Sequence, residues 1–115
     1  IRTNPGLYLE GPTKYIYFGA DNGKMYKVNA FNGTINWTYQ TDGPVRSSPA
    51  VWNNYVYFGS DDGYIYALSL SDGSLRPGWP VVTGGEVRGQ PLIDTINNRL
   101  YIGSNDGKMY CLNIQ

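Results

Sequence analysis

Tyr55-Val-Tyr-Phe-Gly-Ser-Asp-Asp-Gly-Tyr-Ile-Tyr66 reads as two short strands joined by a tight turn. Tyrosyl and apolar residues run up to Gly59, and Asp61-Asp62-Gly63 supplies the turn, where glycine readily takes the positive φ that a hairpin demands. The same text occurs twice more, as Tyr15-Ile-Tyr-Phe-Gly-Ala-Asp-Asn-Gly-Lys-Met-Tyr26 and as Leu100-Tyr-Ile-Gly-Ser-Asn-Asp-Gly-Lys-Met-Tyr110. The shared glycines Gly19, Gly59 and Gly103 are 40 and 44 residues apart. A second anchor lies upstream of each copy: Ile1-Arg2-Thr3-Asn4-Pro5, Val45-Arg46-Ser47-Ser48-Pro49 and Val87-Arg88-Gly89-Gln90-Pro91. Two independent anchors with one period make the chain a repeat protein.

Each repeat reads as four strands. In the middle one these are 45–52, 55–60, 64–70 and 74–83, the last interrupted by Pro77-Gly78 and Pro80, as suits an edge strand that need not donate to a ladder. Four strands in 40 to 45 residues is the arithmetic of a β-propeller blade. The expectation is an all-β chain forming one domain over 1–115, with repeats at about 1–43, 44–85 and 86–115. Its eleven strands fall near 1–9, 14–20, 24–30, 34–41, 45–52, 55–60, 64–70, 74–83, 87–94, 98–104 and 108–114. The third repeat lacks its outer strand, so the chain holds about 2.75 four-stranded antiparallel blades, an incomplete propeller or part of an oligomeric ring.

Composition agrees. The 115 residues include 15 glycines and 7 prolines, which favours turns over helices, and 41% are hydrophobic, enough for a core. Tyrosine contributes 11 residues, a profile that suits strands whose two faces differ in wetness. Nine basic residues balance nine acidic ones, so nothing in the charge argues for nucleic acid or an anionic membrane. The chain contains no histidine, which excludes His-based triads, His metal sites and imidazole switches. One cysteine, Cys111, cannot form an internal disulfide. No apolar run approaches the ~18 residues of a membrane helix. The sequence shows no signal-peptide segment and no initiator Met at residue 1, so a processed product or a piece of something longer is expected.

The run Tyr-Val-Tyr-Phe-Gly-Ser-Asp-Asp-Gly-Tyr-Ile-Tyr-Ala-Leu with its following Gly and Trp resembles the pyrroloquinoline quinone (PQQ) enzyme repeat. That repeat builds the propellers of quinoprotein alcohol dehydrogenases and of an outer-membrane protein-assembly lipoprotein. The family's tryptophan-docking motif is matched by Ala30, Gly33 and Trp37; Gly73 and Trp79 match it with two extra residues between them. The resemblance implies that Trp37 and Trp79 glue neighbouring blades, each burying roughly 150–250 Å². The competing role is ligand stacking.

The same resemblance raises the question of a quinone cofactor. Quinoprotein dehydrogenases resemble eight-bladed rings with a vicinal Cys-Cys pair, a bound calcium and an Asp base. One cysteine and fewer than three blades do not supply these, so the expectation is no cofactor and no enzyme activity for this chain. The acidic turns at Asp21, Asp61 and Asn105 fall short of the six to eight oxygens calcium needs, and read as hairpins. Arg2, Arg46 and Arg88 hold one repeat position at the start of each blade. They are expected either to ring one mouth of a central channel as an anion site or to pair locally with an acid or a backbone carbonyl of their own blades. Cys111 aligns with Lys27 and Ala67, which suggests a semi-exposed or small-tolerant position with a structural thiol. Asn32 and Asn36 open two neighbouring sequons, Asn32-Gly-Thr34 and Asn36-Trp-Thr38, and are glycosylation acceptors if the chain is exported.

The function expected is a non-catalytic propeller segment, a scaffold or protein-binding module in an extracytoplasmic setting. The alternatives are a fragment of a PQQ-dependent oxidoreductase and, more weakly, carbohydrate binding through the tyrosines. Partial blades leave apolar faces at both ends. These are covered either by further blades of a longer propeller or by self-association, with a six-bladed ring of two copies favoured over larger rings. Met109, Cys111, Leu112 and Ile114 are read as the apolar surface of the last strand, so a charge at Leu112 is expected to weaken association.

Overall fold

The computed structural model describes residues 6–10 and 13–114, with side chains from Lys14 onward. The described residues form eleven strands in three antiparallel sheets and no helix. The first sheet runs β1 (Gly6–Glu10), β2 (Thr13–Gly19), β3 (Lys24–Asn29) and β4 (Ile35–Gln40), in that spatial order. The second runs β5 (Ala50–Trp52), β6 (Tyr55–Gly59), β7 (Tyr64–Ser69) and β8 (Val81–Val82). The third holds β9 (Leu92–Asp94), β10 (Arg99–Gly103) and β11 (Met109–Asn113), with no fourth strand among the described residues. These are two four-stranded blades and one three-stranded blade of a β-propeller.

The hairpin between β6 and β7 shows why the repeated turn is built as it is. Gly63 takes φ 88°, and its N–H donates to Ser60 O at 3.1 Å. Asp62 Oδ1 accepts the Tyr64 N–H at 3.0 Å, so the carboxylate caps the turn from within. Asn22 and Asp106 cap the other two hairpins in the same way, accepting from Lys24 and Lys108 at 3.0 and 2.8 Å.

The middle blade is buried on both faces, which is why its strands are apolar throughout rather than alternating. Val56, Phe58, Tyr66 and Leu68 pack against Tyr17, Met25 and Trp37 of the first blade. Tyr57, Ile65 and Ala67 point the other way, against Leu100, Ile102 and Ile114 of the third. Blade spacing is set by glycine. A methyl group built on Gly59 would lie 2.1 Å from Val87 Cγ1, and one on Gly19 would lie 2.2 Å from Val45 Cγ1. Val45 and Val87 are fully buried in these notches.

Three expectations need correction. The inner strands are much shorter than 45–52 and 87–94, because residues 45–49 and 87–91 leave their own ladder. The Val45 and Val87 N–H groups donate instead to Ala20 O and Ser60 O of the preceding blade, both at 3.0 Å. The outer strand of the middle blade shrinks from 74–83 to two residues: Pro77 and Pro80 remove donors, and only an isolated Leu68–Leu75 bridge precedes β8. Leu112 does not face outward. It packs on the middle blade beside Tyr110, and Ile114 is 1% exposed, so only Met109 and Cys111 of these four lie on the open face. Residues 1–5 of the expected first strand lie outside the described residues.

Gly59→Ala is expected to lower stability by about 1–3 kcal/mol through overpacking against Val87. Adding Val87→Ala should recover part of that loss in a double-mutant cycle measured by urea unfolding. Additive losses would show that the close approach does not set the spacing.

Candidate functional site

Side chains with chemical potential gather at the junctions between blades. At one end of each junction stand the repeat arginines. Arg46 Nε lies 3.4 Å from Asp61 Oδ2 and 3.9 Å from Asp21 Oδ1. Arg88 grips the same Asp61 with a two-pronged contact, Nε to Oδ1 at 3.0 Å and Nη2 to Oδ2 at 3.1 Å, and its Nη2 reaches Glu86 at 3.3 Å. Charges therefore alternate in sign across the first two junctions, and each guanidinium meets an acid of the blade before it. Arg2 lies outside the described residues.

Beside each arginine is a polar clasp that the repeat motifs did not reveal. Thr41, leaving the first blade, places Oγ1 2.8 Å from both Gly23 O and Gly43 O and 3.0 Å from Ser60 Oγ of the second blade. Thr83 repeats this at 2.9 Å from Gly63 O, 2.7 Å from Gly85 O and 3.0 Å from Ser104 Oγ. The turn carboxylate completes each clasp. Asp62 accepts the Asp42 N–H at 3.1 Å and the Tyr66 hydroxyl. Asp106 accepts the Gly84 N–H at 2.9 Å and the Tyr110 hydroxyl at 2.6 Å. The signal was available: Thr41 and Thr83 both stand four residues before the Val-Arg pair. Asp61, Asp62, Thr83 and Glu86 border an open cup of about 290 Å³ at the second clasp.

Trp37 and Trp79 mark the outer part of the junctions, and they differ. Trp37 is 8% exposed. Its Nε1–H donates to Leu70 O at 2.9 Å, and its ring lies over Gly73, where an added methyl group would come within 2.7 Å. Lys27, 2% exposed, donates to the same Leu70 O at 2.6 Å with its ammonium 4.1 Å from the Tyr15 ring centroid. At the next junction the carbonyl is Ile114 O. Its donor is Arg76 Nη1 at 3.3 Å, a guanidinium that also donates to the Tyr57 hydroxyl at 2.8 Å and lies 4.7 Å from the Tyr55 ring. Trp79 is half-buried beside Tyr57. The residues Pro77-Gly78 displace the tryptophan, and Ala67, standing where Lys27 stands in the first blade, leaves room for Arg76. The repeat position shared with Cys111 is thus buried in two blades and exposed only in the third.

Other predicted residues stand apart from this constellation. Ala30 and Gly33 lie in the exposed β3–β4 turn, and nothing approaches within 4 Å of a methyl group built on Gly33. Asn32 and Asn36 are exposed on that turn and on β4. A quinone–calcium centre does not fit the residues present: Asp61 is held by two arginines, and among the described residues no three metal-ligating side chains converge.

Hydrogen bonding in the clasps shifts titrations. The Tyr110 hydroxyl, with the Gly84 and Lys108 amides, holds the Asp106 carboxyl down at about 2. Tyr66 is raised far above an ordinary phenol by burial and then by its bond to Asp62. Tyr110 is raised by its bond to Asp106.

Residues 3–115 match the family described as outer membrane protein assembly factor BamB, and the chain belongs to that PQQ-type repeat family. Among solved structures it is similar to the computationally designed Ika4 protein, with 19% identity, a TM-score of 0.74, and coverage of 95% of this chain and 64% of that one. It is similar to BamB from Moraxella catarrhalis, with 21% identity, a TM-score of 0.73, and coverage of 94% and 32%. The designed Ika8 protein matches at 19% identity and a TM-score of 0.72, with coverage of 94% and 32%. The chain thus spans under two thirds of the first and about a third of the other two. No curated protein matches in sequence.

Trp37→Ala is expected to cost about 3–5 kcal/mol, and Trp79→Ala clearly less because it is half-buried and makes no equivalent carbonyl bond. Equal losses by urea unfolding would contradict the distinction. For Asp106, whose folded pKa is depressed, the contribution is present above pH ~4 and is lost as pH falls through about 2. Tyr66, raised above 10.0, contributes stability that is present below pH 10 and lost as pH rises beyond it. The stability gap between wild type and Asp106→Asn should therefore be level above pH ~4 and close towards pH 2. A gap unchanged at pH 2 would show that the carboxylate does not carry the clasp.

Proposed function

We propose that the chain is a non-catalytic set of propeller blades that acts as a scaffold and protein-binding module in an extracytoplasmic setting. One observation carries the reading: the polar groups at the junctions are committed to joining blades. Asp61 holds two arginines, Asp62 and Asp106 hold linker amides and tyrosines, and Thr41 and Thr83 bind blade to blade. A catalytic site needs groups free to meet a substrate, whereas these groups rigidify a frame whose loops are left to carry recognition. Membership of a family described as an outer membrane protein assembly factor supports both the assembly role and the setting.

The frame is completed by another blade at the open third sheet. Met109, opposite Gly103, and Leu92, in one cross-strand row with Tyr101 and Cys111, are each 69% exposed there.

Titrating the chain with pyrroloquinoline quinone and calcium, followed by tryptophan fluorescence and calorimetry, tests the non-catalytic reading. No saturable signal is expected up to high micromolar quinone. Stoichiometric, calcium-dependent binding would overturn it in favour of a quinoprotein fragment.

A further inference from the structure

The sequence holds two Asn-Gly pairs, Asn22-Gly23 in the β2–β3 hairpin and Asn32-Gly33 in the β3–β4 turn. Such a pair can react with itself, because glycine puts no side chain beside its backbone nitrogen and turns freely. We infer that Asn32 is a site of spontaneous deamidation in the folded protein, whereas the packing of the hairpin protects Asn22. The inference goes beyond the scaffold reading and does not rest on it.

The reaction balances with water alone. Gly33 N gives its proton to hydroxide and bonds to Asn32 Cγ. The Cγ–Nδ2 bond breaks, and Nδ2 takes protons from water and leaves as ammonia. Water then opens the cyclic imide at one carbonyl or the other, which yields aspartate or isoaspartate.

Both glycine nitrogens start from a hydrogen bond: Gly33 N–H donates to Asn29 O at 2.9 Å, and Gly23 N–H to Ala20 O at 3.1 Å. The surroundings decide which bond can open locally. Gly23 is buried, and a methyl group built on it would lie 2.7 Å from Gln40 Nε2 and 3.0 Å from Thr41 O. Its carbonyl accepts both the Thr41 N–H and Thr41 Oγ1 at 2.8 Å. The Asn22 amide is held at both ends, Nδ2 donating to the Tyr26 hydroxyl at 2.7 Å and Oδ1 accepting the Lys24 N–H at 3.0 Å. Turning Asn22 onto its own backbone breaks these contacts together.

The other turn is open. Residues 30–36 are all exposed, and nothing stands within 4 Å of a methyl group built on Gly33. Asn32 Oδ1 accepts the Thr34 N–H at 2.9 Å, while Nδ2, the leaving group, has no hydrogen-bond partner among the described residues. Opening the Gly33 bond displaces no packed neighbour.

The aspartate product also fits the place. In the middle blade the same turn position is Asp72, whose Oδ1 accepts the Ser74 N–H at 3.0 Å just as Asn32 Oδ1 accepts from Thr34. Aspartate at position 32 keeps this cap and adds a negative charge to an outer turn. Isoaspartate puts an extra methylene into the backbone between Asn29 and Thr34, which are themselves joined by a hydrogen bond of 2.9 Å. Either product removes the first sequon's acceptor.

Ageing the folded 115-residue chain in mildly alkaline buffer, followed by peptide mapping with mass spectrometry and isoaspartyl methyltransferase labelling, tests this. Asn32 is expected to convert at least about tenfold faster than Asn22, with both products present. In unfolding concentrations of urea the two rates should converge, because the protection of Asn22 lies in the fold. Asn32→Asp should keep the wild-type circular dichroism and melting temperature. The inference is overturned if Asn32 stays intact, if Asn22 converts as fast as Asn32 in the folded chain, or if the preference persists undiminished in urea. An Asn32→Asp chain that melts clearly lower overturns the fit of the aspartate product. None of these results touches the scaffold reading, which falls only to quinone binding.

Discussion

The whole arrangement depends on how closely two sheets can approach at one glycine. A sheet face studded with tyrosines would hold its neighbour at the usual sheet-to-sheet distance of about 10 Å. Gly19 and Gly59 remove the side chain at the last residue of the second strand, and Val45 and Val87 enter the gap. That single close approach pulls the inner segments of the following blade out of their own ladder, so that their amides bond to Ala20 O and Ser60 O. Once these bonds form, the turn residues of one blade and the linker of the previous one are forced together. The Thr–Ser–Asp clasp and the Arg–Asp contacts are consequences of that proximity rather than independent sites.

Buried polar groups at such a junction are costly unless satisfied. The two junctions solve this differently with the same result. Leu70 O takes Trp37 and Lys27; Ile114 O takes Arg76. In each case the cation also lies on the face of a tyrosine, which lowers the cost of desolvating it. A cation drawn from β3 in one blade and from the run before β8 in the next reaches the same spot. The position in space is what the packing selects; the position in the chain is free to drift.

That distinction explains what the sequence could and could not say. The hairpins, the period and the sheet order were legible, because Asp-Asp-Gly turns and tyrosyl alternation are local signals. Trp37 was legible because its spacing from Ala30 and Gly33 is regular. Trp79 was placed by the same motif but is half-buried, since two inserted residues moved it off the motif's geometry. Lys27 entered the sequence reading only as the polar counterpart of Cys111; its burial depends on Leu70, forty-three residues away, which no local pattern encodes. Leu112 was assigned to the wrong face because strand parity in β11 follows its pairing with β10, where Leu112 stands opposite buried Leu100. The clasp threonines were visible in the text, but a lone Thr gives no sign of three partners.

The same logic applies to the outward face of the third blade. In a stacked repeat each unit contacts only its neighbours, so a terminal face is either capped or built to receive. A cap would turn polar. The third blade instead keeps Leu92 and Met109 on its open face, with Tyr101 and Cys111 in one cross-strand row and Gly103 left clear. Only its rim is charged, where Arg99 stands opposite Asp94. An apolar patch with a polar rim is what protein interfaces present. Geometry that repeats twice inside the chain shows what covers such a face at the inner junctions: a sheet entering with a β-branched residue at the glycine.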